Sequence, residues 1–234
     1  MRYLKLTLLF CFLSTGLFSQ ISLNEKEALL DLYASTNGEN WNNSWDLNKP
    51  TTEWQGLTIE DNKVIGINML FNNIEGTLPN TIDQLEFLQE LKLSFNKISG
   101  VLPTEIGNLK HLITLELNGN DLTGEIPASI GNLSSLTQLH LSSNNLSGEL
   151  PESITKLKNL EVLNVFDNDL SGRIPSDLAY AINLKELMVA ENNFELSNEF
   201  SSIVLSNSAS VKLKGTTMIQ DSKQIIANET EEEN

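Results

Sequence analysis

The chain has 234 residues, of which 40% are hydrophobic and 20% charged, with a formal net charge of −16. That length carries a sizeable core, and the apolar share excludes disorder along the whole chain. A surface so acidic repels nucleic acid and anionic lipid alike, which argues against both as partners; it serves either solubility or an acidic recognition patch.

Residues 1–19 read as an export signal. Met1-Arg2-Tyr3-Leu4-Lys5 supplies the positive end, Leu6 to Phe18 the apolar run, and Ser19 a small residue before an expected new start at Gln20. Cleavage there removes Arg2 and Lys5 and takes the charge from −16 to about −18. No later stretch approaches about 18 apolar residues, so no membrane insertion is expected after signal removal. Cys11, the single cysteine, lies inside the run, and Leu9 and Phe10 fit a lipid-attachment site poorly. The expected mature chain then has no disulfide, no thiolate metal site and no cysteine nucleophile.

Residues 20–63 read as an N-terminal cap. Ser22-Leu23-Asn24-Glu25 has the spacing of a capping box opening a helix through about Ala34. Ala28, Leu29, Leu32 and Tyr33 give that helix a buried face, and Gly38 ends it. Trp41, Trp45 and Trp54 follow in a loop and first strand, either as an end plate over the first coil or as an aromatic ligand cluster.

From 64 to 198 the chain repeats itself six times with a period of 24 residues. Val64, Leu88, Leu112, Leu136, Leu160 and Leu184 open the units. Ile67, Leu91, Leu115, Leu139, Leu163 and Leu187 come next, then Met69, Leu93, Leu117, Leu141, Val165 and Val189. Asn72, Asn96, Asn120, Asn144, Asn168 and Asn192 follow without exception. Gly76 to Gly172 and Pro79 to Pro175 keep the same spacing through the first five units.

Each position has a physical reason. The apolar pair two residues apart has the period of a half-buried strand, and one such strand buries its inner face only by stacking on neighbours. The asparagine amide satisfies backbone groups at the turn that follows. Glycine permits a tight bend, and proline stiffens the extended stretch after it. A second apolar pair, such as Ile106 with Leu109 or Ile130 with Leu133, returns the far side to the core.

The run from Leu115 through Asn120, Leu122 and Gly124 to Ile126-Pro127 resembles the plant-type leucine-rich repeat, over roughly residues 22–198. The resemblance implies an α/β fold: a right-handed solenoid with a concave parallel β-sheet, convex 3₁₀ segments, a helical N-terminal cap and often a small second sheet. Trp54-Gln55-Gly56-Leu57-Thr58 is similar to the cap of plant receptors, but Thr52 and Ile59 stand where that pattern has cysteines. The cysteine-free cap with Asn37-Gly38-Glu39-Asn40-Trp41 looks instead like secreted repeat proteins of Bacteroidetes-type bacteria.

After Phe194 the pattern departs, with Glu195-Leu196-Ser197-Asn198 in place of the glycine and proline. Residues 199–220 read as a C-terminal cap, with a closing element from Phe200 to about Leu213. Residues 221–234, ending Glu229-Thr230-Glu231-Glu232-Glu233-Asn234, read as an acidic disordered tail.

Catalysis finds little support. His111 and His140 are the only histidines, neither in a nucleophile or metal motif, and His111 reads as a solvated residue just before a strand. Asp167-Asn168-Asp169 resembles a calcium ligand run only superficially, because Asn168 belongs to the repeat. No cofactor is expected. The outward positions of the strands form three variable columns instead. One runs Asn68, Lys92, Glu116, His140, Asn164, Met188 and a second Phe71, Phe95, Gly119, Ser143, Asp167, Glu191. The third runs Leu70, Ser94, Asn118, Ser142, Phe166, Ala190.

Variation inside a regular frame is what a recognition surface needs; unconstrained positions vary too. Phe71 and Phe95, neighbours at about 4.8 Å strand spacing, serve as partner anchors or pack on each other. The expected function is a non-catalytic secreted or cell-surface module binding a protein partner, with Asn68, Leu70, Phe71, Lys92, Phe95, Glu116, His140, Asn164 and Phe166 as its contacts. Glycan binding, or inhibition of a secreted hydrolase, is the alternative.

Overall fold

The computed structural model describes residues 21–195, 212–213, 218–221 and 224–227. The signal segment, most of the closing element and the last residues of the expected tail lie outside these.

Helix Leu23–Ser35 opens on the anticipated capping box, with the Ser22 hydroxyl accepting from Glu25 N and Glu25 Oε2 accepting from Ser22 N. Glu25 does more than cap. It is buried, and its second oxygen accepts from Val64 N at 2.9 Å, pinning the helix to the first repeat. Ala28, Leu29 and Leu32 are fully buried, whereas Tyr33 is only partly so. The helix stops before Gly38: Asn37 takes the left-handed conformation at φ 55°, and Gly38–Asn40 begins a short 3₁₀ turn.

The three tryptophans form the end plate. Each is under 5% exposed, and Trp45 stacks on Trp54 with centroids 4.8 Å apart while meeting Trp41 edge-on at 4.9 Å. Their indole N–H groups donate to the backbone oxygens of Thr36, Gln55 and Asp46, so no polar atom of the plate is wasted. Trp54 lies in the loop before the first strand rather than in it. That strand, Leu57–Glu60, pairs antiparallel with Lys63–Asn68 through a tight turn at Asp61 and Asn62, whose φ values of 48° and 63° are those of a two-residue hairpin.

From Lys63–Asn68 onward the sheet is parallel. Strands Glu90–Lys92, Thr114–Glu116, Gln138–His140, Val162–Asn164 and Glu186–Met188 follow in order. Ile67, Leu91, Leu115, Leu139, Leu163 and Leu187 align one above another, each 24 residues from the last, and none is more than 1% exposed. Each coil closes through a 3₁₀ turn behind proline: Asn80–Gln84, Thr104–Asn108, Ala128–Asn132, Glu152–Lys156 and Ser176–Tyr180. Proline's fixed φ sets the entry to each turn, and its missing N–H would have had no partner there. A Cβ on Gly131 would lie 2.3 Å from Ser153 O, so glycine is what lets neighbouring turns nest.

A second parallel sheet forms where the repeat carries its glycine, through Glu75–Thr77, Lys97–Gly100, Asp121–Gly124, Asn145–Glu149, Asp169–Arg173 and Asn193–Glu195. Between the two sheets stands the asparagine ladder. Asn120 Nδ2 donates to Leu93 O and Leu117 O, while its Oδ1 accepts from Ile98 N at 2.9 Å. Asn96, Asn144, Asn168 and Asn192 repeat the pattern, each tying its own coil to the one before. Asn168, the centre of the calcium-like run, is thereby committed to the backbone. At Asn72 there is no preceding coil: its Oδ1 accepts from Asn43 N of the cap, and its Nδ2 has no partner among the described residues.

Beyond the sixth unit, Lys212–Leu213 continues the inner sheet beside Glu186–Leu187. Met218–Asp221 pairs antiparallel with Gln224–Ala227, across the boundary drawn at residue 221. Ile219, Ile225 and Ile226 supply strand propensity to this pair.

Candidate functional site

The inner sheet presents its outward residues in register. Asn68 aligns with Lys92, Lys92 with Glu116, Glu116 with His140, His140 with Asn164, and Asn164 with Met188. This column is brought together as expected. Asn68 is exposed, and the rest are partly covered by their neighbours.

The column itself carries one lysine and one glutamate, and further acids stand around it. Lys92 Nζ stands 3.0 Å from Glu90 Oε2 on its own strand, and Lys185 Nζ 2.7 Å from Glu161 Oε2 at the strand edge. Lys92 and Lys185 are thus each held by a neighbouring carboxylate. Glu116, Asp167 and Glu191 add further acids to this face. Burial pushes the His140 imidazole below its ordinary 6.5, against the opposing pull of the Glu116 and Glu186 carboxylates.

The Phe71 column differs from the expectation. It does not lie on the regular strands but on a left-handed residue three positions beyond their ends, with φ of 52° at Phe71, 57° at Phe95, 65° at Gly119, 53° at Ser143, 57° at Asp167 and 53° at Glu191. The ladder hydrogen bonds still reach this row, with Phe71 N donating to Ser94 O and Phe95 N to Asn118 O. Every coil therefore ends its strand by turning inward here, so that the next residue, asparagine, enters the core. A left-handed backbone costs an ordinary L residue about 1–2 kcal/mol, and bulky residues are rarely found there.

Two phenylalanines nevertheless occupy it. Their rings stack face to face, centroids 4.5 Å apart and planes within 4°. They remain 65% and 49% exposed, so self-packing covers one face of each and leaves the rest in water. The ring of Phe95 leans over Gly119, where an added Cβ would stand 2.7 Å from its Cδ1. The cap holds this end of the face rigid: Asn42 Nδ2 donates to Phe71 O at 2.8 Å, and Asn42 N donates to Asn72 O.

The third column splits by size. Leu70 and Phe166 project, at 40% and 37% exposure. Ser94 and Ser142 are buried, contrary to the expectation that they are displayed. Small side chains at this position are overshadowed by the coils on either side; their hydroxyls bond Asn118 Oδ1 and Asn164 Nδ2 and order the face from beneath.

A further ladder escaped the sequence reading. Lys63, Phe87 and His111 are 24 residues apart, one position before the opening apolar residue. Lys63 Nζ sits 3.6 Å from the centroid of the Phe87 ring, and His111 stacks on Phe87 at 5.6 Å. His111 is exposed as expected, but not unattached. The common spacing of 24 was the available signal.

Residues 96–221 match the family model described as "Leucine-rich repeat region", and residues 84–101 a second described as "Leucine Rich repeat". The chain belongs to the leucine-rich-repeat family. Among solved leucine-rich-repeat structures it resembles the BIR3–SERK2 complex from Arabidopsis thaliana at 30% identity, covering 74% of this chain and 96% of that one with a TM-score of 0.63. The ectodomain of the receptor kinase SOBIR1 from the same plant is 29% identical over 75% and 97% of the two chains, with a TM-score of 0.66. The PEPR1–AtPEP1 structure is 30% identical with a TM-score of 0.68, covering 80% of this chain but only 27% of that one. A search among curated proteins gave no match. Among the described residues of this leucine-rich-repeat protein, no helix is long and apolar enough to cross a membrane.

Proposed function

We propose that this protein is an exported, non-catalytic protein-binding module that acts in the extracellular space or at the cell surface through its inner sheet. The observation that carries the reading is the exposed Phe71–Phe95 stack, kept at a backbone conformation that disfavours bulky residues. Strain of that kind persists where the surrounding structure enforces it, and it clusters at binding sites. The inward turn that brings each ladder asparagine into the core enforces it in every coil, and Asn42 adds a bond to Phe71 O at the first. Leu70 and Phe166 add apolar contact, and Asn68, Lys92, Glu116, His140 and Asn164 supply polar contacts between them.

Support comes also from relatives solved as complexes, BIR3 with SERK2 and PEPR1 with AtPEP1. The charged run and apolar segment of residues 1–19 support export. The absence of cysteine at positions 52 and 59 favours the secreted bacterial form of the family over the plant receptors. The side chains gathered on the face are not arranged as a nucleophile with its base, which supports a binding role over catalysis.

Pull-down from surface extracts of the producing cells tests this. One partner should be recovered by the wild-type chain and lost with Phe71→Ala/Phe95→Ala; equal recovery by both rejects this face. Glycan binding is a second reading, favoured by exposed rings flanked by amides at Asn42 and Asn73. A glycan array bound by wild type and not by the double variant would favour it over the first.

A further inference from the structure

The stack of Phe71 and Phe95 is a ladder that stops one rung early. The row continues in register through Gly119 and Ser143, but position 119 carries no side chain. The Phe95 ring meets Phe71 on one side and leans over Gly119, and the next side chain of the row is Ser143, one coil further. A flat group inserted there would continue the stack at about the 4.8 Å strand spacing.

The molecule shows which chemistry suits such a rung. In the Lys63–Phe87–His111 ladder, built on the same 24-residue spacing, the phenylalanine ring is covered by an ammonium on one side and an imidazole on the other. The negative face of an aromatic ring attracts cations, and a guanidinium adds planar stacking to that attraction. Charge points the same way. Asp167 follows in the row two coils from Gly119, about 10 Å away at strand spacing, and Glu191 one coil further. Lys92 and Lys185 are already held by Glu90 and Glu161.

We infer that the rung over Gly119 is a socket for an arginine side chain, contributed by a basic, extended segment of the partner laid along the row toward Asp167 and Glu191. This inference rests on the protein-binding reading and adds the chemistry that the partner must bring. It also gives Gly119 a role beyond the turn, since a side chain there would press on the Phe95 ring from its first carbon and close the rung.

The test is to pan a displayed library of random octapeptides against the full chain, then measure Kd for synthetic copies of those enriched. Enriched peptides should carry arginine, and replacing it by glutamine should weaken binding about tenfold, as should Phe95→Asn in the protein. Gly119→Phe should do the same by filling the rung, and Gly119→Ser, which copies Ser143, provides the milder version should the larger ring disturb folding. Thermal melts of each variant establish that the fold is retained. Peptides that need Phe95 but ignore their own Arg→Gln change overturn the socket while leaving the binding face intact. Peptides that bind Phe71→Asn/Phe95→Asn as well as wild type overturn both. A library that yields no binder overturns the socket as a peptide site.

Discussion

Phe71 and Phe95 meet ring to ring at 4.5 Å from consecutive left-handed turns, where the same row elsewhere holds glycine, serine, aspartate and glutamate. Asparagine tolerates that backbone, so Phe71→Asn/Phe95→Asn trades relief of about 1–2 kcal/mol of strain per residue against a lost stacking pair of about 0.5–1.5 kcal/mol. Stability in urea should stay level or rise slightly. Affinity for the partner should fall at least about tenfold, the signature of residues kept for recognition and not for folding.

The asparagine ladder should behave in the opposite way. Asn144 Oδ1 accepts from Leu122 N, and its Nδ2 donates to Leu117 O and Leu141 O, all inside the core. Asn144→Ala orphans the buried Leu122 N–H, at about 1–3 kcal/mol, whereas Leu117 O and Leu141 O keep the amides of Asn120 and Asn168. Urea unfolding should show a loss of about 1–3 kcal/mol, and amide exchange at Leu122 should accelerate. A loss below about 1 kcal/mol would mean that water enters and satisfies those groups.

Glu25 joins the cap to the first repeat through one carboxylate shared by Ser22 and Val64. Glu25→Ala removes the reciprocal half of the capping box, though the Ser22 hydroxyl still accepts from the backbone N–H of residue 25, and leaves the Val64 N–H buried without a partner, costing about 1–3 kcal/mol. Exchange protection should collapse first at Val64 and the helix, while Leu139 and Leu163 remain protected, because repeat coils answer mainly to their neighbours. Uniform loss along the whole chain would contradict this.

His140 supplies a pH dependence with a definite sign. Burial holds its folded-state pKa below the ordinary 6.5, so the folded chain prefers the neutral ring more strongly than the unfolded chain does. Its contribution is intact above about pH 6.5 and is lost as pH falls through the lowered folded value. Between pH 7.5 and 5 the wild type should lose more thermal stability than His140→Gln. An equal loss would assign the effect to the carboxylates instead.

The 24-residue period made the core legible, because each position recurs for a packing reason that no single unit can satisfy alone. Ile67 through Leu187, the asparagine ladder and the proline-led turns stand where the repeat placed them, and the capping box at Ser22 where its own four-residue motif did. What the period could not convey was backbone handedness at residues that do not advertise it. Asn37 and Gly119 are ordinary left-handed residues, but Phe71 and Phe95 are not, and they read as strand positions. Nor did alternation reveal the burial of Ser94 and Ser142, since that depends on the size of side chains one coil away. The Leu57–Asn68 hairpin was missed because Asp61-Asn62 falls between the cap motif and the repeat, where neither pattern speaks.

Recognition through the inner sheet is tested most directly by photo-crosslinking in the producing cells. A benzophenone amino acid placed at Lys92, His140 or Asn164 samples the inner sheet, and at Thr104, Ala128 or Glu152 the exposed starts of the 3₁₀ turns. The account predicts one partner captured from the first set and nothing from the second. Capture from the turn positions alone would move the binding surface to the other side of the molecule and contradict it.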